Sequence, residues 1–167
     1  MTLQLTEDDV VNDEIIGTGC FGDVKKGYLL STLQPVAVKS MEYTNEKERS
    51  DIINEALAMQ KLDSPFIVKY YGSYNKKNKI CLVLEFCEGG DCESLYKLLK
   101  QRQKPLDTLQ IYEFIAQMAA ALSCLHQKNM IHKDFKPANV LITGNGRIYK
   151  LVTVLNPVYG DQAEVKV

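Results

Sequence analysis

The chain has 167 residues, enough for one domain or two small lobes. Apolar residues make up 46% and charged residues 25%, ordinary values for a soluble globular protein. The net charge of −1 gives no global attraction to nucleic acid or acidic membranes, and no apolar run is long enough to span a bilayer.

The first nine residues, Met1 to Asp9, are acidic and lack the apolar stretch of a secretory signal, so an intracellular, cytoplasmic protein is expected. The five cysteines, Cys20, Cys81, Cys87, Cys92 and Cys124, form no C-x-x-C pair and are odd in number. Neither a disulfide framework nor a zinc site is expected. Cys124 and His126 read as a small buried thiol beside a helix-end histidine.

Residues 10–43 alternate apolar and polar around glycines, which predicts three successive strands. Asn45 to Glu48 has the form of a capping box. Ile52, Ile53, Ala56, Leu57 and Met59 then recur at helical spacing, predicting a helix over 46–62 that stops at Asp63-Ser64-Pro65. Strands are expected near 67–74 and 79–86, with Asn75 to Asn78 as the turn. Glu88-Gly89-Gly90-Asp91 breaks the pattern and marks a lobe boundary. Beyond it the chain reads as mostly helical. A short helix is expected over 94–102. A longer one, capped by Asp107, carries an apolar stripe of Ile111, Ile115, Met118, Leu122 and Leu125. Strands at 140–142 and 147–151 flank Thr143-Gly144-Asn145-Gly146. A small β-rich lobe followed by a helical lobe implies a ligand cleft between them.

Three motifs carry chemistry. Gly17-Thr18-Gly19-Cys20-Phe21-Gly22-Asp23-Val24 fits G-x-G-x-x-G-x-V, where missing Cβ atoms let backbone N–H groups approach phosphate. It lies between two strands, whereas a dinucleotide fingerprint opens a helix. Val36-Ala37-Val38-Lys39 ends a strand on a cation that could meet phosphates. Glu55, in the amphipathic helix, is the carboxylate that could orient it. His132-Lys133-Asp134-Phe135-Lys136-Pro137-Ala138-Asn139 supplies a candidate base in Asp134, a cation in Lys136 and a metal-ligating amide in Asn139. Each of these residues alone could be a surface polar group; the complete string is specific.

With these motifs in this order, residues 10–152 resemble a eukaryotic serine/threonine protein kinase, and some segments look NIMA-related or sterile-twenty-like. The resemblance implies an α+β fold: a five-stranded antiparallel N-lobe with one helix, plus an incomplete helical C-lobe. It divides the chain into an N-lobe at 10–87, a partial C-lobe with the catalytic loop at 88–152 and a divergent tail at 153–167. It further implies ATP and Mg²⁺ as cofactors and a protein as substrate or partner. Leu84 would be the gatekeeper. Glu85 and Cys87 would present backbone groups to adenine, with Ile16, Val24, Ala37 and Leu141 sandwiching the ring. Gly17, Gly19, Gly22 and Lys39 would hold the phosphates.

The sequence also departs from the family pattern. Lys133 stands in place of arginine, keeping the charge but losing the bidentate fork. Phe135 replaces leucine. After Lys150-Leu151-Val152 the family's Asp-Phe-Gly is replaced by Thr153-Val154-Leu155, so one expected Mg²⁺ ligand is missing. Loss of that carboxylate would cost roughly three or more powers of ten in rate. Residues 153–167 resemble no kinase segment, and a chain truncated after its catalytic loop is expected. Three readings follow: an active kinase, a catalytically dead module that binds nucleotide or a partner, and a truncated product without function.

Overall fold

The computed structural model describes residues 5–19, 22–144 and 146–152. Five antiparallel strands open the chain: β1 (Val10–Gly19), β2 (Gly22–Leu29), β3 (Gln34–Glu42), β4 (Tyr70–Lys76) and β5 (Lys79–Glu85). They lie in the order β1-β2-β3-β5-β4, with helix α1 (Glu46–Met59) inserted between β3 and β4. Helices α2 (Cys92–Gln101) and α3 (Thr108–Gln127) follow, and the hairpin of β6 (Val140–Thr143) and β7 (Ile148–Leu151) closes the described part.

Side-chain alternation along the central strands explains how the sheet is buried on both faces. Val36 and Val38 of β3 join Cys81 and Val83 of β5 in an outer cluster with Val10, Leu29 and Tyr74. The intervening Met41, Ile80, Leu82 and Leu84 face the opposite way, onto α1. This second cluster continues without a break through Met118, Leu125, Tyr149 and Leu151 of the helical part. Main-chain bonds join the two parts as well. Val68 N–H donates to Leu151 O at 3.0 Å, and Leu151 N–H to Phe66 O at 2.9 Å.

The helices start where side chains satisfy their first free N–H groups. Asp107 and Gln110 form a complete capping box on α3. At α1, Asn45 accepts from Glu48 N–H as expected, but the reciprocal half differs. The Glu48 carboxylate reaches back to the N–H and hydroxyl of Thr44.

Several expected boundaries move. The first helix ends at Met59 instead of residue 62. The second starts at Cys92, because Asp91 caps it through Ser94 N–H at 2.8 Å. The β4–β5 turn contracts to Lys77-Asn78, with Lys77 at φ 53°. The apolar stripe of α3 is buried only in its second half. Met118 and Leu125 are inside, Leu122 packs against the core, and Ile111 and Ile115 are 45% and 55% exposed. Among the described residues, no helix is long and apolar enough to cross a membrane. Cys81, Cys87, Cys92 and Cys124 are free thiols. Cys124 donates to Asp63 O at 3.8 Å, as a structural thiol would.

Candidate active site

Two groups of the expected residues come together. In the first, β3 carries Lys39 on the face turned toward α1, and Lys39 Nζ lies 3.7 Å from Glu55 Oε1. Sixteen residues separate them in sequence. The sheet-on-helix packing of Met41, Ile52, Ala56 and Leu82 brings them together. Glu55 is only 7% exposed, and its Oε1 makes no hydrogen bond among the described residues. Burial raises the Glu55 carboxyl above its ordinary range, and the Lys39 charge opposes this without cancelling it.

The second group is the loop that follows α3. Asp134 Oδ2 receives the Lys136 ammonium at 2.8 Å and the Asn139 amide at 2.9 Å. The same amide also donates to Asp134 O at 2.8 Å, so Asn139 fixes both the backbone and the side chain of Asp134. The Lys136 hydrogen bond first, then that from Asn139, holds the Asp134 carboxyl below its ordinary range. Asp134 is thus an ionised acceptor at neutral pH, open to solvent.

The loop is held from below. Asp134 N–H donates to His132 O at 2.8 Å, closing a three-residue turn around Lys133, whose φ is +60°. A non-glycine residue in this region is strained, a common feature of sites that hold a side chain in a fixed direction. His132 is 2% exposed, and its Nε2 sits 2.6 Å from Val152 O. A carbonyl only accepts, so Nε2 carries the proton; Nδ1 is buried and has no partner among the described residues. His132 therefore ties the loop to the backbone immediately before Thr153.

The glycine segment folds as the β1–β2 hairpin, with Gly17 opposite Val24 and Gly19 opposite Gly22. Gly22 has a structural reason of its own: its φ is +125°, and a Cβ there would lie 1.9 Å from Ser40 O. Gly17 has no such constraint. Val24 and Ala37 are partly buried on β2 and β3, Leu141 is partly buried on β6, and Ile16 is largely exposed. Leu84 pairs with Ala37 across β3–β5.

Glu85 has several partners of its own. Its N–H is taken by Lys69 O at 2.8 Å, and its carboxylate accepts from Lys69 N–H and from Lys150 Nζ. Its N–H is therefore already engaged. The Cys87 N–H makes no backbone hydrogen bond among the described residues. Burial pushes the Cys87 thiol up to about 12, so the sulfur stays protonated and unreactive. Sequence reasoning missed the Glu85–Lys150 and His132–Val152 contacts; each joins residues with no local pattern to connect them.

The donors for a Mg²⁺ ion are few. Both Asn139 contacts use its amide nitrogen, which leaves Oδ1, while Asp134 Oδ2 is already engaged by Lys136 and Asn139. Among the described residues, no group of three or more His, Cys, Asp or Glu could hold a metal. Mg²⁺ keeps several waters and takes one or two carboxylates plus substrate phosphates, and Asn139 Oδ1 is the amide oxygen this loop leaves for it. Thr153 to Leu155, which stand in place of the family's Asp-Phe-Gly, and Cys20 and Phe21 of the glycine segment lie outside the described residues.

The protein kinase domain family matches residues 10–152. Mitogen-activated protein kinase kinase kinase kinase 3 of Homo sapiens is 33% identical over 133 residues, covering 80% of this chain and 14% of that protein. Serine/threonine-protein kinase KIC1 of Saccharomyces cerevisiae is 35% identical over 137 residues, covering 81% and 12%. Serine/threonine-protein kinase cek1 of Schizosaccharomyces pombe is 34% identical over 137 residues, covering 80% and 10%. The chain belongs to the protein kinase domain family, and its relatives include serine/threonine kinases. It spans 10–14% of the length of these relatives.

Proposed function

We propose that this chain binds a nucleoside triphosphate in the manner of its family and transfers phosphate poorly. ATP is the expected nucleotide. Val24, Ala37, Leu141 and the more exposed Ile16 would sandwich adenine, with the Cys87 N–H and the Glu85 carbonyl at its edge. The N–H groups of Gly17, Gly19 and Gly22, with Lys39, would meet the phosphates, and Glu55 would position Lys39. The observation that carries the binding is the Lys39–Glu55 pair, 3.7 Å apart beneath the sheet, while the ionised Asp134, held by Lys136 and Asn139, keeps the family's base in place. In the family-level reaction Asp134 would take the proton from a serine or threonine hydroxyl as that oxygen bonds to the γ-phosphorus and the bond from the γ-phosphorus to the β,γ-bridging oxygen breaks, with ADP as the leaving group. Lys136 would steady the charge on the transferred group. Asn139 is the one metal donor that matches the family motif, and it is not enough to hold Mg²⁺ by itself.

The substrate is proposed to be a protein. The lobe division at residues 87 and 88 and the tail at 153–167 belong to the same proposal, as does a cytoplasmic location, which suits four free thiols. Thermal shift with ATP, in Mg²⁺ and in EDTA, tests the binding. A stabilisation of similar size in both is expected; no shift in either overturns the reading. Transfer from labelled ATP to a generic protein substrate is expected to match an Asp134→Ala control. Transfer well above that control would mean the active site is competent.

A further inference from the structure

The outer face of the sheet is apolar where Val10, Val36, Val38 and Val83 pack together, and it turns polar toward the β4–β5 turn. Strand register sets Ser40 opposite Cys81 and Cys81 opposite Tyr74, and Ser40 Oγ lies 3.6 Å from Cys81 Sγ. These three residues line the base of a pocket of about 260 Å³. Lys25, Lys76, Lys77 and Lys79 surround it, and Asp23 is the acid among the described residues that lines it. Glu7 holds Lys76, and Glu42 holds Lys79. Lys25 and Lys77 form no ion pair among the described residues. Asn12 of β1 lines the same pocket. Its Nδ2 donates to the Tyr74 hydroxyl at 3.5 Å, and its Oδ1 is buried with no partner among the described residues. An amide has a donor end and an acceptor end, and the Tyr74 hydroxyl serves only the end that faces it.

We propose that this pocket binds a small phosphorylated polyol, a single ring that carries hydroxyls and one phosphate. Lys25 and Lys77 bring two ammonium groups to the phosphate, which carries a charge of about −1.5 to −2 at neutral pH. Asp23 and the open end of the Asn12 amide serve the ring hydroxyls, since a hydroxyl both donates and accepts. Asp23 separates this ligand from its rivals. A carboxylate repels bare phosphate but accepts from a hydroxyl, and neither inorganic phosphate nor a phosphorylated serine brings ring hydroxyls to it. A nucleotide base is also a poorer match, because the ring of Tyr74 is 4% exposed and offers no face for stacking. The volume falls just below the range of about 300–1,000 Å³ usual for drug-sized sites, which suits a single ring. Ser40 follows Lys39 on β3 and faces the other way, so the pocket lies across the sheet from the Lys39–Glu55 pair. The inference does not depend on nucleotide binding.

The test is titration calorimetry of the whole chain with inositol monophosphate, inositol and inorganic phosphate, each with and without ATP. Inositol monophosphate should bind saturably, at least tenfold tighter than either of the others, and equally well in ATP. Lys25→Gln with Lys77→Gln should weaken it at least tenfold. Asp23→Ala should weaken inositol monophosphate while inorganic phosphate binds as well as before or better. Lys77→Glu, at an exposed turn position, should abolish binding without moving the melting temperature, which keeps the test open if Asp23→Ala folds poorly. Phosphatidylcholine vesicles that carry phosphatidylinositol monophosphate then identify the source. Capture that soluble inositol monophosphate reverses supports a lipid headgroup; soluble binding without capture supports a free polyol phosphate. No binding of inositol monophosphate overturns the inference, as does equal binding of inorganic phosphate. Competition by ATP, indifference to the lysine changes or tighter binding of inositol monophosphate by Asp23→Ala overturns it too.

Discussion

Lys150 Nζ lies 2.8 Å from Glu85 Oε2 and so bonds β7 to the end of β5 across 65 positions of sequence. Both side chains are mostly buried, at 11% and 20% exposure. The Glu85 carboxylate also accepts from Lys69 N–H, so one side chain ties three segments together beside the segment expected to meet adenine.

Removing one member of this pair leaves the other charge buried without its partner. Lys150→Met and Glu85→Gln are each expected to destabilise the fold by about 2 kcal/mol, less than for a fully buried pair because some water reaches it. The double variant should recover part of the loss. Urea unfolding of the two single variants and the double variant gives the coupling directly. Additive losses would show that the contact contributes little.

Glu55 gives a pH-dependent prediction. Burial raises its carboxyl pKa above the ordinary 4.5, so the folded chain retains a proton that the unfolded chain has lost. Stability therefore falls as pH climbs from about 4.5 through the folded pKa. Glu55→Gln removes this fall. The variant should be more stable than the parent at pH 7, and the two should converge toward pH 4. If Lys39 needs Glu55 to meet phosphate, the same substitution weakens the ATP-induced thermal shift. Unfolding midpoints across this pH range, with and without ATP, separate the two effects.

Much of the fold is legible because it is written locally. Glycine-bounded alternation gives the strands, Asn45 and Asp107 mark helix starts, and the 132–139 string identifies the loop. What escaped the sequence depends on tertiary packing. The 3.6-residue period of α3 shows that Ile111 and Met118 share a stripe, yet only packing into the core beside β7 decides that Met118 is buried and Ile111 is not. The Lys39–Glu55 pairing was reached through the family pattern, and the helix-on-sheet packing supplies its cause. The Glu85–Lys150 pair had no local signal at all.

The Asp134 cluster predicts an order of effects. Its carboxyl is lowered first by Lys136 and then by Asn139, so the ionised form is favoured above 3.8 and lost as pH falls through the folded value. Lys136→Met should raise the Asp134 pKa more than Asn139→Ala does, as read from the side-chain carboxyl carbon by NMR titration. Asn139→Ala should have the larger effect on backbone shifts near residue 134, because it also removes the bond to Asp134 O. A reversed order in the titration would mean that the Lys136 contact is not maintained in solution.

The glycines of the β1–β2 hairpin can be separated by their surroundings. A methyl group at Gly22 would meet Ser40 O at 1.9 Å, on a backbone with φ +125°. Gly22→Ala is therefore expected to cost on the order of 3 kcal/mol, since β3 or the hairpin must move. At Gly17 the nearest heavy atom to an added Cβ is Val24 Cβ at 3.9 Å, an ordinary contact, and φ is not positive. Gly17→Ala should leave the unfolding midpoint within about 0.5 kcal/mol of the parent. If Gly17 is glycine so that phosphate can approach its backbone, this variant must lose most of the ATP-induced shift while keeping its fold. A parent-like ATP response in Gly17→Ala would detach Gly17 from phosphate binding and leave it as a strand residue of the hairpin.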